Sequence, residues 1–337
     1  MRQGSGTYVG IAVLRRALEA RGAVIESVAP AHTSAGAWRR LWFNFGLRRR
    51  ALEGFTAVVG FDLDGVLLPH RHPRPWLDVA SIKGVLGEEM QFERGWIRAR
   101  LGLQARFERW RVHQADRVLV TSRYAADAVI ERYGLDPGKL RVVPEPIEVA
   151  AWHTRLAAVE RVPAAVPVIL CVAHLYPRKD VATLLRARAQ MRQPARVRIV
   201  GDGPEFARLQ ELARRLQLGP QAEFLGHIPR ARLTDEYRNA DIFCLPSRQE
   251  GFGIVLLEAM AAALPIVAAR AAAIPEVVAE GECALLFPPG DAVALAAALD
   301  RLLVDESLRR DLGQNGQRHV LRYDAARVAE AFLQALR

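Results

Sequence analysis

Short apolar runs alternate with segments of helical periodicity along most of the chain. The runs are rich in Val, Ile, Leu and Ala and predict strands, whereas the segments between them repeat apolar positions every three or four residues and predict helices. The predicted strands span residues 24–29, 57–61, 77–81, 117–121, 140–143, 168–173, 197–200, 222–225, 242–245, 265–268 and 283–287. This alternation is typical of α/β proteins with parallel sheets. We therefore predict two doubly wound, Rossmann-like domains that face a cleft, with ligands at the carboxyl ends of the strands.

Prolines mark the predicted boundary between the two domains. Pro144, Pro146, Pro163 and Pro167 bracket a stretch that lacks a strand pattern, and such a stretch is typical of a linker. We predict a first domain over residues 1–150, a linker over 151–167 and a second domain over 168–325. A C-terminal helix at 326–337 is expected to pack back toward the first domain.

The beginning of the first domain is unusual. A doubly wound domain opens with a strand, a glycine-rich turn and a helix. Here the turn Gly4-Ser5-Gly6 precedes any strand pattern, and a helical pattern follows at 9–21. The first strand of the N-terminal domain is therefore expected to be missing, by about ten residues on ordinary strand lengths. A misassigned start codon or a fragmentary gene would explain the pattern.

Composition restricts the class of protein. No run of about 18 apolar residues occurs, so we expect no membrane-spanning helix. The three cysteines lie in apolar runs, and no signal segment opens the chain, which favours reduced thiols in a cytoplasmic protein without a metal site. The net charge of +10 is concentrated before residue 164, where 25 Lys and Arg face 17 Asp and Glu. An anionic partner such as a membrane surface or a phosphorylated acceptor is expected there, but no nucleic-acid motif occurs.

Residues 250–260 carry the most specific chemistry. Glu250 and Glu258 stand eight positions apart, across a turn bracketed by Gly251 and Gly253, and a helical pattern begins directly after this turn. Glycine allows backbone N–H groups to approach a ligand closely, and the N-terminus of a helix attracts phosphate. Carboxylates at the same place accept hydrogen bonds from sugar hydroxyls. The segment therefore predicts a nucleotide-sugar site.

These motifs resemble those of family-4 retaining glycosyltransferases with the two-domain GT-B fold. The resemblance covers nearly the whole chain and rests on segments 4–6, 115–118, 121–122, 143–147, 169–179, 199–204, 224–228 and 250–258. Each motif alone is weak, but their order and spacing are specific. The resemblance implies transfer of a hexose from a UDP- or GDP-linked sugar to a glycan, a lipid-linked acceptor or a small hydroxylated acceptor, as in cell-envelope or polysaccharide biosynthesis. It also implies that no metal or other cofactor takes part.

The resemblance further implies roles for individual residues. Glu258 would bind the ribose hydroxyls, and Glu250 would orient the donor sugar. Lys179, with Arg178 beside it, would neutralise the departing phosphate. The backbone of four residues would hold the diphosphate: Gly251, Phe252, Gly253 and Ile254. The loop from Gly226 to Ile228 would contact the base. Five residues would lie on the acceptor side: Gly4, Ser5, Gly6, Asp62 and Asp64. For the two glycines among them a purely structural turn is nearly as good an explanation.

Two positions depart from the family pattern. His174 stands where the family commonly has an arginine that binds phosphate, and a histidine carries that charge only near or below about pH 6.5. A packed neutral histidine is the alternative. Lys83 stands where the family often has a histidine near the reacting sugar. It is compatible with contact to the acceptor, to the donor sugar or to the phosphate.

A second family resemblance competes at residues 61–67. The sequence there resembles the nucleophile motif of haloacid-dehalogenase-like phosphatases, with Asp62 phosphorylated and Asp64 as acid and base. Asp202 would then belong to the magnesium motif, but Phe206 and Ala207 occupy the positions where that motif requires another aspartate. Two other interpretations of Asp62 and Asp64 are hydrogen bonds to acceptor hydroxyls and a solvated turn. A catalytically silent nucleotide-sugar-binding protein is a further alternative for the whole chain.

Residues 38–50 combine tryptophans with arginines. On a helix Trp38, Leu41, Trp42 and Phe45 share one face, and Arg48–Arg50 follow. A helix of this composition suits peripheral contact with an anionic membrane. The alternative is a surface helix that packs the same face on its own sheet.

Overall fold

The structure is a computed structural model that describes residues 6–29, 37–48, 52, 54–68, 74–162 and 164–337. The chain divides into two compact units. The first unit comprises Met1–Pro146 together with Ala325–Arg337, and the second comprises Ile147–Asp324. The C-terminal segment thus belongs to the same unit as the N-terminal half of the chain.

The described part of the first unit contains a four-stranded parallel sheet in the order β1-β2-β3-β4. Its strands are β1 Ala57–Phe61, β2 Leu77–Ile82, β3 Arg117–Val120 and β4 Leu140–Val142. Its helices up to the boundary are α1 Gly6–Glu19, α2 Ala37–Arg48, α3 Leu86–Glu89, α4 Gly95–Gln114 and α5 Arg123–Tyr133. Four of the five strands predicted for this half are confirmed, with ends that differ by at most one residue.

The second unit contains a six-stranded parallel sheet in the order β10-β9-β8-β5-β6-β7 among its described residues. The strands are β5 Val168–Val172, β6 Arg196–Val200, β7 Ala222–Gly226, β8 Ile242–Leu245, β9 Ile266–Ala269 and β10 Ala284–Phe287. The helices are α6 Val149–Ala157, α7 Val181–Gln190, α8 Phe206–Arg215, α9 Arg230–Asn239, α10 Ile254–Ala261, α11 Ile274–Val278, α12 Ala292–Val304 and α13 Glu306–His319. All six strands predicted for this half are confirmed, and both sheets have the predicted α/β architecture.

The last helix, α14 Ala325–Ala335, completes the core of the first unit. Val328 and Phe332 of α14 pack with Leu14 and Leu18 of α1 in a buried cluster that also includes Val79 of β2. Full burial of one such side chain contributes about 1.5–3 kcal/mol. The cluster therefore fastens the C-terminal helix to this unit.

The prediction of a strand at residues 24–29 is wrong. These residues form no strand, and Val24 is 97% exposed. Ile25 packs partly against the cluster of α1 and α14. β1 is the edge strand of the described sheet, so residues 24–29 do not pair with it. The segment therefore covers the core with one side chain instead of joining the sheet.

The prediction of a linker at residues 151–167 is wrong over its first part. Helix α6 spans Val149–Ala157, and Trp152 on it is almost completely buried. The Trp152 ring packs edge-on against the ring of Tyr237 in α9, with centroids 5.5 Å apart. The prolines on either side suggested an irregular segment, but the apolar face of α6 docks on the second unit. The boundary between the units falls instead between Pro146 and Ile147.

Candidate functional site

The order of strands in the second sheet places a switch point between β5 and β8. From β5 the chain adds β6 and β7 on one side, whereas β8, β9 and β10 extend the sheet on the other. Open α/β sheets bind ligands at the carboxyl ends of the two strands at such a point. The loop after β5 carries Lys179, and the loop after β8 carries Glu250. Both residues singled out in the sequence thus follow strands at the switch point.

Backbone hydrogen bonds fasten the neighbouring loops at this edge. The N–H of Leu175 donates to Asp202 O over 3.0 Å, and the N–H of Gly201 donates to Gly226 O over 2.8 Å. Gly201 has a φ of 133°, and a Cβ on it would lie 1.9 Å from Ala173 O. Only glycine fits there, because any side chain would collide with the backbone. Asp202 accepts a hydrogen bond from the N–H of Gly203 over 2.7 Å, so its described contact is local.

Lys179 and Glu250 form an ion pair at the centre of this edge. The Nζ of Lys179 donates to Oε1 of Glu250 over 2.5 Å, and the two side chains are only 14% and 8% exposed. Lys179 ends a short 3-10 turn that begins at Pro177, and Asp180 after it takes a φ of 45°. A buried pair with this geometry holds both side chains in one orientation. The two predicted catalytic residues of this unit are therefore in direct contact.

Helix α10 begins at this site without a side-chain cap. Gly253 precedes it with a φ of 91° and provides no side-chain cap. The first N–H groups of a helix have no partner within the helix, and the helix dipole makes them a good anion site. Phe252 points away from solvent and packs edge-on against Tyr323, with ring centroids 5.4 Å apart. The start of α10 is therefore a candidate site for an anion, and the diphosphate role of residues 251–254 stays a prediction.

Glu258 lies one turn into α10 and is buried. Tyr237 of α9 donates from its hydroxyl to Oε2 over 3.0 Å, and Arg230 Nη2 lies 3.6 Å from Oε1. Burial raises the pKa of the Glu258 carboxyl, and Arg230 and Tyr237 oppose this shift. The carboxyl group is thus oriented by two residues of one helix.

The loop from Gly226 to Ile228 leads directly into α9. Gly226 has a φ of 61° and open space where a Cβ would lie, and Ile228 is half-buried. Helix α9 carries Arg230 and Tyr237, the two residues that contact Glu258. It therefore connects the predicted base loop with the predicted ribose carboxylate. Nothing in the motifs indicated Arg230 or Tyr237; an arginine and a tyrosine on one helix carry no signal until that helix is placed beside α10.

Two further predicted donor residues lie in the loop after β5. His174 is exposed, which excludes the packed alternative, and its ring lies 6.4 Å from that of Tyr176. The guanidinium of Arg178 lies over the Tyr176 ring at 5.1 Å. The N–H of Arg248, in the loop after β8, donates to Arg178 O over 2.8 Å. Arg248 is a further cation at this edge that the sequence motifs did not indicate.

The carboxyl edge of the first sheet holds a different set of groups. Asp62 follows β1 with a φ of 54°, and its Oδ1 accepts a hydrogen bond from the N–H of Lys83 over 3.0 Å. Lys83 Nζ lies 2.9 Å from Oε1 of Glu145, and both side chains are buried. Glu145 follows β4 and was not predicted as a site residue, because the prolines on either side of it indicated the start of a linker. Asp64 is half-buried two residues after Asp62.

A buried carboxyl group supports the loop that follows β2. Glu108 of α4 accepts hydrogen bonds from the N–H of Leu86 over 2.9 Å and from the hydroxyl of Tyr133 over 2.5 Å. Burial is the main reason that the pKa of Glu108 rises from 4.5 to about 8. This loop begins at Lys83, so Glu108 supports the segment on which Lys83 lies.

Gly4 and Ser5 lie outside the described residues. Gly6 is the first residue of α1, which therefore begins three residues before the predicted helix. The roles predicted for the Gly4-Ser5-Gly6 turn stay predictions.

The structure separates the residues of the competing phosphatase motif. A site of that kind needs its aspartates side by side, as at the edge of one parallel sheet. Asp62 follows β1 of the first sheet, whereas Asp202 follows β6 of the second. The two motifs thus belong to different units, and no comparison reported below supports a phosphatase.

The described residues contain neither a candidate metal cluster nor a helix that could span a membrane. No group of three or more His, Cys, Asp or Glu there is arranged to hold a metal ion. None of the helices in the described ranges combines the length and the apolar character that crossing a bilayer requires. Cys171, Cys244 and Cys283 are free and buried. Independence from metal stays a prediction.

Comparison with known proteins gives the family. The model for glycosyl transferases group 1 matches residues 154–319, and the model for glycosyltransferase family 4 matches residues 6–151. One relative is a D-inositol 3-phosphate glycosyltransferase 2 of Catenulispora acidiphila, 34% identical over 237 residues that make up 65% of this chain and 55% of the relative. The aligned part of the chain thus spans only about half of that curated relative.

Solved structures show the same fold. Sucrose-phosphate synthase of Thermosynechococcus elongatus superposes with a TM-score of 0.81 at 24% identity, over 98% of this chain and 92% of the other. The Anabaena protein HepE, solved in complex with UDP and glucose, superposes with a TM-score of 0.66 at 22% identity, over 77% of this chain and 71% of the other. Together the two family models account for nearly the whole chain. The chain therefore belongs to the family-4 glycosyltransferases, the glycosyl transferases group 1, and it has their GT-B fold.

Proposed function

We propose that this protein is a retaining glycosyltransferase that moves a hexose from a nucleotide-diphosphate sugar to a hydroxyl group of an acceptor. The observation that carries the proposal is the 2.5 Å contact between Lys179 and Glu250, at the switch point of the second sheet and beside the uncapped start of α10. This arrangement combines a cation, backbone donors and a carboxylate within one edge. A diphosphate attached to a sugar requires the same three kinds of group.

The donor is expected to lie along the edge from β7 to β8. Glu258 accepts hydrogen bonds from the ribose, and the loop from Gly226 to Ile228 contacts the base through its backbone. The N–H groups at the start of α10 bind the diphosphate, with Lys179 and Arg178 as cations and His174 as a neighbour. Glu250 has two functions, since it holds Lys179 before the donor arrives and accepts hydrogen bonds from the sugar. The base is uracil or guanine.

Transfer with retention requires the acceptor hydroxyl to attack from the face that the phosphate leaves. The C–O bond to the phosphate breaks, and the new glycosidic bond forms at the same carbon. The leaving phosphate takes the hydroxyl proton, so no protein nucleophile is needed. Lys179 stabilises the charge that develops on the phosphate oxygens, and a contribution of this kind is often the largest single one in catalysis. In this proposal neither the exchange of bonds at the sugar carbon nor the proton transfer assigns a role to a metal ion.

The acceptor is expected at the carboxyl edge of the first sheet. Asp62 and Asp64 are hydrogen-bond acceptors for hydroxyl groups, and Lys83 is held in place by Glu145. A glycan, a lipid-linked sugar and a small polyol all fit this description. The pathway class that we propose is cell-envelope or polysaccharide biosynthesis, in the cytoplasm or at the inner face of the membrane.

A panel of nucleotide sugars tests the proposal. Thermal shift with UDP, GDP and their hexose conjugates identifies the base, and NMR of the product formed with a hydroxylated acceptor identifies the anomeric configuration. We expect one base to stabilise the protein and the product to keep the configuration of the donor, also in the presence of EDTA. Binding without transfer to any acceptor would indicate the silent form. Absence of binding to every conjugate would overturn the proposal.

We also propose that residues 38–50 make peripheral contact with an anionic membrane. Trp42 and Phe45 of α2 are 73% and 44% exposed, which argues against the alternative in which this face packs on the sheet. Nothing is described of the side chains of Trp38 and Leu41. Co-sedimentation with phosphatidylglycerol vesicles should weaken in a Trp42→Ala/Phe45→Ala variant; equal binding of the wild type and the variant would exclude this contact.

A further inference from the structure

The second unit contains a cavity at the edge of its sheet where the strands begin, which we call the amino-edge cavity. Its volume is about 680 Å³, within the range of small-molecule sites. Asp241 and Pro265 belong to its wall, and they directly precede β8 and β9. The candidate donor site lies at the other ends of the strands, and β8 and β9 are four residues long, so roughly 13 Å of strand separates the two ends. A small molecule in the cavity therefore leaves the donor site accessible.

The apolar part of the wall comes from the ends of two helices. Leu156 and Ala157 close α6, and residues 261–265 follow the last turn of α10. Three of the five residues in 261–265 are alanines, and alanine leaves space in front of it. The wall thus offers an apolar surface to a compact group such as a ring.

Arginines outnumber carboxylates in the wall of the amino-edge cavity. Two positive charges are in excess when histidine is neutral, since the charged residues there are Arg161, Arg238, Arg309, Arg310, Asp241 and Glu306. A phosphate monoester carries nearly two negative charges at pH 7, and arginine binds phosphate through paired N–H donors. His153 also lies in the wall, and its Nε2 is buried without a hydrogen-bond partner among the described residues. Buried polar atoms rarely lack a partner, which favours a ligand with hydrogen-bonding groups.

Two of these arginines can exchange their partners readily. Arg161 and Arg310 are exposed, and they pair with Asp241 over 2.5 Å and with Glu306 over 2.9 Å. Ion pairs at the surface contribute little to stability, so an anion can replace the carboxylates. The other two arginines of the wall donate to backbone carbonyl groups instead. They hold the surrounding segments in place and add positive charge.

We propose that the amino-edge cavity binds a small phosphate monoester with an apolar body, and that its occupation tightens nucleotide binding at the donor site. The phosphate accepts hydrogen bonds from the arginines, and the apolar body lies on the wall formed by α6 and α10. The effect on the nucleotide rests on the proposed function. Binding in the cavity does not, because the cavity shares neither Lys179 nor Glu250 with the donor site.

Tyr237 connects the cavity with the donor site. It belongs to the wall of the cavity, and its hydroxyl donates to Oε2 of Glu258 over 3.0 Å. The Trp152 ring of α6 packs edge-on against Tyr237, and the guanidinium of Arg230 lies 5.9 Å from the centroid of the same ring. Arg230 and Tyr237 are the residues that contact Glu258. A ligand that touches α6, α9 and α10 at once therefore favours the arrangement in which Glu258 is oriented for the nucleotide.

Phenyl phosphate is a suitable probe, because it joins an apolar ring to a phosphate. Phenol and inorganic phosphate each supply one of the two groups and serve as matched probes. Ligand-observed NMR titration of the full chain, with and without a saturating nucleotide, measures the three affinities. We expect phenyl phosphate to bind at least about ten-fold more tightly than either matched probe. Equal binding of a matched probe would overturn the proposal, and so would displacement of phenyl phosphate by the nucleotide, which would place it in the donor site.

Two variants test the location of the probe. Ala157→Phe narrows the cavity without changing its charge, and Ala157 is exposed at the end of α6, where a larger side chain is tolerated. Arg161→Gln/Arg310→Gln removes two positive charges from the wall. Each variant should weaken binding of phenyl phosphate roughly ten-fold or more, since charge-assisted hydrogen bonds or the space for the ring are lost. Unchanged affinity in both variants would show that the probe binds elsewhere.

A matched control comes from α8 of the same unit. Arg214 and Arg215 are exposed and pair with the carboxylate of Glu211, so Arg214→Gln/Arg215→Gln removes the same charge and similar ion pairs away from the cavity. The control should bind phenyl phosphate like the wild type, and all variants should keep the thermal midpoint of the unliganded protein. Equal loss in the two arginine pairs would indicate a general charge effect and would contradict the proposal.

Reciprocity tests the effect on the donor site. If phenyl phosphate tightens nucleotide binding, the nucleotide must tighten binding of phenyl phosphate by the same factor. We expect a factor of about five or more in isothermal titration calorimetry, lost in Ala157→Phe. Nucleotide affinity that is unchanged or lower with phenyl phosphate present would overturn the coupling. If no nucleotide binds, the proposed function fails, while the titration without nucleotide still decides whether the cavity is a site for the phosphate monoester.

Discussion

Two helices that follow strands, α5 in the first unit and α10 in the second, begin in opposite ways. Ser122 precedes α5, and its Oγ accepts a hydrogen bond from the N–H of Ala125 over 3.1 Å. Gly253 precedes α10 and has no side chain to do the same. The residue before α5 thus caps its helix, whereas the residue before α10 leaves backbone donors open to a ligand. Both sheets are parallel, but their strand orders differ, and the switch point lies in the second sheet among the described residues.

The carboxyl edges of the two sheets also differ in their charged groups, and the second edge carries more positive charge. At the second edge Lys179 is paired with Glu250, and Arg178, Arg248 and the N-terminus of α10 add positive charge. At the first edge Lys83 is paired with Glu145, and Asp62 and Asp64 add negative charge. A diphosphate therefore suits the second edge and hydroxyl groups suit the first. Both the charged groups and the order of the described strands therefore distinguish the two edges.

The largest expected effect is on kcat, after removal of the Lys179 cation at the second edge. Lys179→Ala should lower kcat by a factor on the order of 100 to 1000, because loss of one stabilising group in a transition state typically costs about 3–4 kcal/mol. Steady-state kinetics with the donor found in the panel measures it. Glu250→Ala should also act mainly on kcat. Arg301→Ala, which removes an exposed cation elsewhere, serves as the control. A rise in KM with kcat unchanged would mean that Lys179 binds the ground state and the transition state equally, which would contradict the prediction.

Glu258 should act on donor binding more than on turnover. Glu258→Ala should weaken nucleotide binding by roughly 10- to 100-fold, since hydrogen bonds to a charged group contribute about 1.5–3 kcal/mol. Tyr237→Phe should have a smaller effect in the same direction, because it removes only the hydroxyl that orients the carboxylate. Isothermal titration calorimetry with the nucleotide measures both. If Glu160→Ala, an exposed control, weakens binding equally, the assignment of Glu258 is wrong.

The free energy of unfolding of the first unit should depend on pH through Glu108. Its pKa is higher in the folded protein, at about 8, than the ordinary value of 4.5. The folded state therefore holds a proton that the unfolded state has lost, and stability should fall as pH rises between these values. The limiting slope for one proton is about 1.4 kcal/mol per pH unit. Urea unfolding across this range measures it, and Glu108→Gln should flatten the dependence. An equal slope in that variant would contradict the prediction.

The smallest expected effects test the two helix starts directly. Ser122→Ala should destabilise the first unit by about 1 kcal/mol, because α5 loses its cap. Gly253→Ala should cost about 1–2 kcal/mol in the second unit, because alanine is strained at a φ of 91° and its Cβ would approach Leu256 to 3.1 Å. Only Gly253→Ala should also weaken nucleotide binding. Weaker nucleotide binding in Ser122→Ala would remove the contrast between the edges.

Local pattern was sufficient for most of the fold. Ten of the eleven predicted strands are present, because a buried parallel strand must be a short apolar run whatever surrounds it. Residues 24–29 and α6 are the exceptions. The first has a strand pattern, yet Ile25 packs against the cluster of α1 and α14 and the segment does not pair with β1. The second has prolines nearby, yet Trp152 finds a place against Tyr237. Both outcomes depended on contacts that no local pattern contains.

The sequence by itself determined the family, the two α/β units and the segment from Glu250 to Glu258 as the candidate donor site, because motifs with fixed spacing encode turns and helix starts. The tertiary structure alone decided the partners of these residues. It paired Lys179 with Glu250 across 71 positions, Glu258 with Tyr237 and Arg230, and Lys83 with Glu145. Contacts between distant positions depend on how strands and helices pack, and packing is a property of the folded chain.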